Sequence, residues 1–521
     1  MLSVLRTKSV ERSIQDSEEP GNRLQRTLGP IDLTVMGIGV IIGTGIFVLT
    51  GKAAGVQAGP AVAISFVIAG IVCGMAALCY AELASTVPVA GSAYTFSYAT
   101  LGELVAWIIG WDLILELALG ASTVAVGWST YLVDLLKTAG ITVPDALYGE
   151  RHNLLAAGIV LAITALICVG IKVSARVTLV IVAIKLAIVL FVIVAGAFFI
   201  KTANWSPFVP PSGSHAAAGA TASPSLLQDL GLGTGAFGWS GILTGAALVF
   251  FAFIGFDVVA TTAEETRNPQ RDLPIGIIAS LAICTVLYVA VSLVVTGMVK
   301  YDQLTITAPL AEAFRSVGRA GFATVISVGA LAGLTTVMMV LLIGQSRVFF
   351  AMSRDRLLPG WFSRVHPRFG TPVRTTMIIG VVVATVGALV PLSDLAELVN
   401  IGTLFAFVLV AIGVVVLRRT RPDLERSFRT PLVPALPIVS VLATLYLMLN
   451  LPALTWMRFG LWMAVGLVVY ALYGARHSRM RADAGGSDAG DAGVELTGRR
   501  REEATTAAAG TASAQAGAGR G

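Results

Sequence analysis

Twelve apolar stretches follow one another along this chain, at 31–55, 60–85, 104–136, 153–171, 177–200, 240–262, 275–299, 320–346, 375–391, 396–417, 433–455 and 459–475. A helix needs ~20 such residues to cross a bilayer. A chain built this way has one sufficient outlet for its apolar surface, which is lipid. Of its 521 residues 56% are hydrophobic and 13% charged, about half the charged share of a soluble domain, and no core of that size could hide the difference. A soluble globular protein, a disordered chain and a disulfide scaffold are thereby excluded. The sequence predicts an all-α membrane protein with twelve transmembrane helices, the third of them long enough to tilt or to extend past the surface.

The net charge of +6 would suggest nucleic acid in a soluble protein. Here the basic residues fall between apolar stretches, where the positive-inside rule accounts for them, and no nucleic-acid partner is expected. Twelve crossings put both ends on one side. That side then carries 27 Lys and Arg against 8 on the other, where Lys52 at the end of the first span is counted, and without the tails it still carries 15 against that 8. Both termini are therefore expected in the cytoplasm. The domain reading is a cytoplasmic tail over 1–30 without a cleavable signal pattern, a transmembrane helical body over 31–475, and an Ala/Gly-rich tail over 476–521 expected to be disordered. The segment 202–239 reads as a flexible external connection. Cys73, Cys79, Cys168 and Cys284 lie in apolar stretches without metal or redox spacing, and His152, His215, His366 and His477 lie in loops or at span ends. No metal, no cofactor and no enzyme chemistry are expected.

The first apolar stretch contains Gly37, Gly39, Gly43 and Gly45. Each glycine inside a helix costs roughly 1 kcal/mol against alanine, so unwinding is expected. Unwound backbone at membrane depth is tolerated only against protein or a watery cavity, and its freed amides suit a carboxylate while its freed carbonyls suit a cation. Close helix packing explains the same glycines equally well. The sixth stretch tips the balance, because it too carries a mid-span glycine, Gly255, beside Phe256 and Asp257. In a chain of two five-helix repeats plus two extra helices (repeats of about 31–200 and 240–417), spans one and six correspond. Interrupted spans in corresponding positions point to a transport site.

Four segments carry a wider resemblance: GIGVIIGTGIFVLTG (37–51), GIKVSARV (170–177), FFAFIGFDVVATTAEETRNPQRDLPIGI (250–277) and GQSRVFFAMSRDRLLP (344–359). Together the chain, from about Leu28 to Tyr473, resembles the amino acid–polyamine–organocation superfamily, and within it the bacterial members of the cationic amino acid transporter family. The resemblance implies a LeuT-type five-plus-five inverted repeat with discontinuous helices 1 and 6, and amino-acid permease activity by alternating access in the bacterial inner membrane. By the same resemblance, the backbone at Thr44, Gly45 and Ile46 would receive the substrate carboxylate. Carbonyls of Ile41, Phe251, Ala252 and Ile254 would receive its ammonium group, and Phe256 would close over it. A small accessory membrane peptide is a further partner to expect beside membrane lipid.

Lys185 stands mid-span in the fifth stretch. A charge at that depth costs at least ~2.5–3.5 kcal/mol, and the lysine is too far from either end to snorkel. It could gain and lose a proton during a cycle, with the proton as coupling ion, or it could be held permanently by a carboxylate. In proton-coupled relatives a helix-five lysine takes the place of a sodium ion, which favours the first reading. Asp112 and Glu116 share one face of span three. Glu116 matches an acidic position in relatives and would line the pocket, whereas Asp112 reads as an interhelical contact. Asp257 reads as holding the broken segment through backbone N–H groups, and Glu82, Glu264 and Glu265 as salt bridges with Arg267 and Arg271 nearby. Leu334 would project where relatives with large cationic substrates keep a small residue. It would shorten the pocket and leave a guanidinium unpaired, which is costly. The expected function is thus proton-coupled symport of neutral, small or medium apolar L-amino acids such as alanine. The alternatives are an exchanger, or cationic uptake.

Overall fold

The computed structural model of the protein describes residues 26–478 apart from gaps at 90–91, 150–151, 171–174, 215–222, 233–234, 305–307, 365 and 367–370. Most of the two expected tails lies outside the described residues. Every named element is helical, as long unalternating apolar runs require. The main helices are α1 (Pro30–Ile41), α2 (Val62–Thr86), α3 (Ser92–Thr100), α4 (Glu103–Thr138), α5 (Leu154–Cys168), α6 (Ala175–Ala197), α7 (Gly238–Val249), α8 (Phe256–Ala260), α9 (Pro269–Met298), α10 (Pro309–Ser316), α11 (Ala320–Arg354), α12 (Val373–Leu389), α13 (Leu392–Thr420), α14 (Ala435–Leu449) and α15 (Ala453–Val469).

By length and apolar composition, eight helices of the described chain are able to cross a membrane, and α1, α5, α12 and α14 are four shorter apolar helices besides those eight. Helix α4 lies along α11 and α13, α2 along α9, and α1 is enclosed by α9, α6 and α11. The outer helices turn bulky apolar side chains outward, among them Val194, Val286, Val381, Leu442 and Leu461. Only a hydrocarbon solvent accepts such a belt at no cost.

Several boundaries depart from the sequence reading. The eleventh stretch ends at Leu449, because Pro452 caps the next helix and cannot continue the previous one, so α15 begins at Ala453. Two segments read as loops hold helices. Helix α3 is built largely of small and hydroxyl residues, yet nearly all of it is buried. Helix α10 is amphipathic over only eight residues and buries Leu310, Ala311, Ala313 and Phe314. The described parts of 202–239 are also anchored: Asn204 Nδ2 donates to the Gly297 carbonyl at 2.8 Å, Trp205 Nε1 to that of Leu293 at 3.2 Å, and the Phe237 N–H to that of Gln57 at 2.8 Å.

Both glycine-bearing stretches are broken. Helix α1 stops at Ile41, Ile42 is extended (ψ 95°), and the chain winds again from Gly45 to Leu49 in wider π turns. Helix α7 tightens into a 3₁₀ turn over Phe250–Phe253, Ile254 is extended (ψ 135°), and α8 restarts after Gly255. Gly255 has φ +118°, which a side chain rarely adopts, and a Cβ there would lie 2.5 Å from Val40 Cγ1. The four glycines of the first stretch divide between the two roles that sequence alone left open. Gly37 and Gly39 lie inside α1 and let Ser280 and Val182 approach, whereas Gly43 and Gly45 belong to the break.

Candidate functional site

The two breaks touch. A Cβ on Gly45 would fall into the backbone of Ala252, so glycine is what lets the two chains cross there. Around the crossing lies a small cavity of about 20 Å³, room for one ordered water. The first break supplies Val40, Ile41, Gly43, Thr44 and Gly45, and the second supplies Phe251 and Ile254. Helix α4 adds Glu116, Gly120 and Val124, and α11 adds Val337 and Leu341. Two polar side-chain atoms on this wall, Thr44 Oγ1 and Glu116 Oε1, are buried without a hydrogen-bond partner. Such atoms are costly unless something visits them.

Of the expected site residues, Ile41, Thr44, Gly45, Phe251, Ile254 and Glu116 line this cavity, and Ile46, Ala252, Phe256 and Leu334 do not. Ile46 is fully buried one residue beyond the break, and Ala252 is the residue against which Gly45 packs. Phe256 stands in an aromatic cluster, edge-on to Tyr80 (5.6 Å) and tilted against Phe407 (5.2 Å). Leu334 is fully buried, while the same helix turns Val337 and Leu341 to the cavity. The Ile41 carbonyl already accepts from Tyr288 Oη at 2.6 Å. The residues that the sequence reading missed had a signal: Gly120 and Val124 follow Glu116 at steps of four, the spacing of one helical face.

Lys185 is fully buried. Its Nζ donates to the Gly39 carbonyl at 2.6 Å and points to that of Ile42 at 3.4 Å. These are carbonyls of the last turn of α1, whose partial negative charge suits a cation. Its stem crosses Gly333 of α11, where a Cβ would stand 3.1 Å from Lys185 Cγ and Cε. Among the described residues no carboxylate pairs with it, so the alternative of a permanent acidic partner gives way to main-chain carbonyls.

Asp112, Glu116 and Asp257 are buried carboxylates. Both Asp112 oxygens, Glu116 Oε1 and Asp257 Oδ1 have no hydrogen-bond partner. The expectation that Asp112 makes an interhelical polar contact is therefore corrected: it faces the close approach of Gly402 on α13 without a donor. Charged clasps close both ends of the bundle. At one end Arg418 Nε and Nη2 donate to Glu82 at 2.8 and 2.7 Å, the Thr430 N–H donates at 2.7 Å, and Arg347 pairs with Glu265 at 3.2 Å. The salt bridges of Glu82 and Glu265 thus run to arginines other than Arg267 and Arg271. At the other end Arg315 on α10 meets Asp134 and Glu312, each at 2.6 Å, and Tyr131 Oη donates to the Phe47 carbonyl at 2.7 Å.

Two interrupted apolar helices that meet around a small cavity are the arrangement of a substrate carrier. Residues 28–472 match the family model described as amino acid permease. The chain is 47% identical over 485 residues to the methylthioribose transporter of Bacillus subtilis (strain 168), spanning 92% of this chain and 99% of that protein. It is 48% identical over 488 residues to the branched-chain amino acid permease BcaP of the same organism, again spanning 92% and 99%. To the vacuolar cationic amino acid transporter 4 of Arabidopsis thaliana it is 38% identical, over 81% of this chain and 68% of that protein. The chain belongs to the amino acid permease family of the amino acid–polyamine–organocation superfamily, and it is a membrane transporter, not an enzyme.

Proposed function

We propose that this protein imports neutral aliphatic L-amino acids across the plasma membrane by proton-coupled symport, alternating access around the crossed breaks. The architecture proposed is the twelve-helix, five-plus-five inverted repeat with both termini in the cytoplasm. In support, α1 with its continuation at 45–58, and α7 with α8, are the first members of the two proposed repeats, and both are interrupted. The substrate carboxylate would meet the N–H groups that open the Gly45–Leu49 segment, and its ammonium group the carbonyls near Ile254. Tyr288 already occupies the Ile41 carbonyl, and the Ile254 N–H donates to the Phe251 carbonyl at 3.3 Å, so Ala252 and Ile254 would carry most of that task. Phe256 would leave its aromatic cluster to gate the site. The cavity is too small for an amino acid, so the arrangement described is a closed one that must open before substrate enters.

The observation that carries the coupling is the contact of Lys185 Nζ with the Gly39 carbonyl. A protonated lysine bonds the end of α1, and a neutral one relinquishes the charge that holds it there, so proton occupancy and the posture of α1 are linked. For the substrate, Gly120, Val124, Val337 and Leu341 form an apolar wall suited to an aliphatic side chain, in line with the relative named for branched-chain amino acids. Glu116 on the same wall, with its unpartnered oxygen, favours a second reading in which the side chain is cationic. Proteoliposomes under an inward acid gradient decide between them. Labelled leucine and alanine are expected to accumulate, with the gradient lost to a protonophore and arginine excluded. Lys185→Ala is expected to bind substrate but lose acid-driven uptake. An unaltered pH dependence in that variant would overturn the coupling role, uptake that requires internal amino acid would identify an exchanger, and preferential arginine accumulation would establish the cationic reading.

A further inference from the structure

A second hollow, far larger than the transport cavity, lies on the outside of the bundle between the last turns of α6 and the first turns of α11. It measures about 590 Å³ and is walled by Leu190, Val194 and Phe198 on one side and Phe322 on the other. All four wall residues are exposed, Phe198 by 84%. Phe191, which also lines the hollow, stacks on Phe314 at 6.1 Å and meets Phe322 edge-on at 5.2 Å. At its mouth stands Arg319, the residue before α11, with its guanidinium over the Phe199 ring at 5.5 Å. Among the described residues no carboxylate pairs with Arg319.

We propose that this groove is a binding site for an anionic phospholipid of the phosphatidylglycerol type, with an acyl chain in the aromatic trough and the phosphate on Arg319. Apolar contact alone selects nothing here, because lipid tails are as apolar as the groove and no hydrophobic gain attends the exchange of one chain for another. Selection must come from the mouth, where one cation without an acidic partner sits at the end of the helices and favours a net negative headgroup. A transmembrane helix is a poorer occupant. Helices pack closely through small residues, and the lips of this groove are Phe198 and Phe322.

The test is native mass spectrometry of the full-length protein titrated with dioleoyl phosphatidylglycerol or dioleoyl phosphatidylcholine, together with a photoreactive phosphatidylglycerol whose cross-links are mapped to peptides. The anionic lipid is expected to bind about fivefold more tightly than the zwitterionic one, with cross-links in 190–199 and 319–322. Arg319→Gln should bring the two lipids to parity while leaving the unfolding temperature in detergent unchanged. Ala195→Trp, which fills the trough, should lower retention of both lipids; if it fails to fold, the wild-type cross-link map decides. Equal binding of the two lipids by the wild type, a preference that survives Arg319→Gln, or a co-purifying small membrane protein that holds the groove against added lipid would overturn the proposal.

Discussion

The crossing of the two breaks makes a sharp prediction at Gly45. A Cβ added there would overlap the Ala252 backbone, with the Ala252 nitrogen 2.8 Å away and two further atoms nearer still. Backbone cannot rotate out of the way as a side chain can, so Gly45→Ala must separate the two segments by roughly an ångström to restore ordinary contact. Overpacking of this kind costs about 1–3 kcal/mol, which converts to between about fivefold and about 150-fold in the population that keeps the crossing intact. The cost falls on the arrangement in which both breaks face one ligand, so it should appear as a raised KM for leucine uptake and a lowered unfolding temperature in detergent. Gly43→Ala is the control two residues away. Its Cβ would meet Val337 at 3.6 Å, an ordinary contact, so folding stability should be kept while the added methyl intrudes on the cavity. Wild-type KM and wild-type unfolding temperature in Gly45→Ala would show that the segments do not abut and would remove the basis of the site.

The two clasps make opposite predictions. Glu82 is 1% exposed and accepts from Arg418 and the Thr430 N–H, so Glu82→Gln leaves a guanidinium without its counter-charge. Breaking a buried pair in this way costs 3–5 kcal/mol; discounted for the partly exposed arginine, the loss should be about 2 kcal/mol, read as a clear fall in unfolding temperature, and an unchanged temperature would count against the clasp. Arg315 and its partners are more exposed, so Arg315→Ala should cost at most about 1 kcal/mol of stability. Its effect should instead be local, with faster amide hydrogen exchange over Pro309–Ser316 and little change elsewhere; uniform exchange across the molecule would refute a lid-like role for that helix.

What could be read from the sequence follows from which physical signal each feature carries. The bilayer imposes a length and an apolarity on each crossing, so the helical stretches were visible one by one, and the paired glycine breaks at Gly43–Gly45 and Gly255 were visible as faults in that pattern. Helices α3 and α10 were not, because neither crosses the membrane and neither has a long apolar period. That Val337 and not Leu334 lines the cavity is a matter of rotation about α11, three residues and hence about 60° around the helix, which no local pattern fixes. The partners of Glu82 were out of reach for another reason: Arg418 lies 336 residues away, and only the packing of α2 against α13 brings them together.

Lys185 shows why the legible and the illegible parts belong to one design. Considered alone, each of three features is a defect. The break after Ile41 strands carbonyls at membrane depth, Lys185 is a charge in the same place, and Gly333 weakens α11. Together they resolve one another, because the lysine stem passes where Gly333 has no side chain and its ammonium group bonds the carbonyls at the end of α1. The sequence displays the three faults, from 41 to 333 in the chain, but not their joint solution, which needs α1, α6 and α11 in one register. Faults that are mutually satisfied only in one arrangement are also the means by which that arrangement can be released. On the proposed coupling, removal of the proton from Lys185 would take away the charge that strengthens its bond to Gly39, and so would raise the free energy of the closed state relative to one in which water or substrate reaches the break.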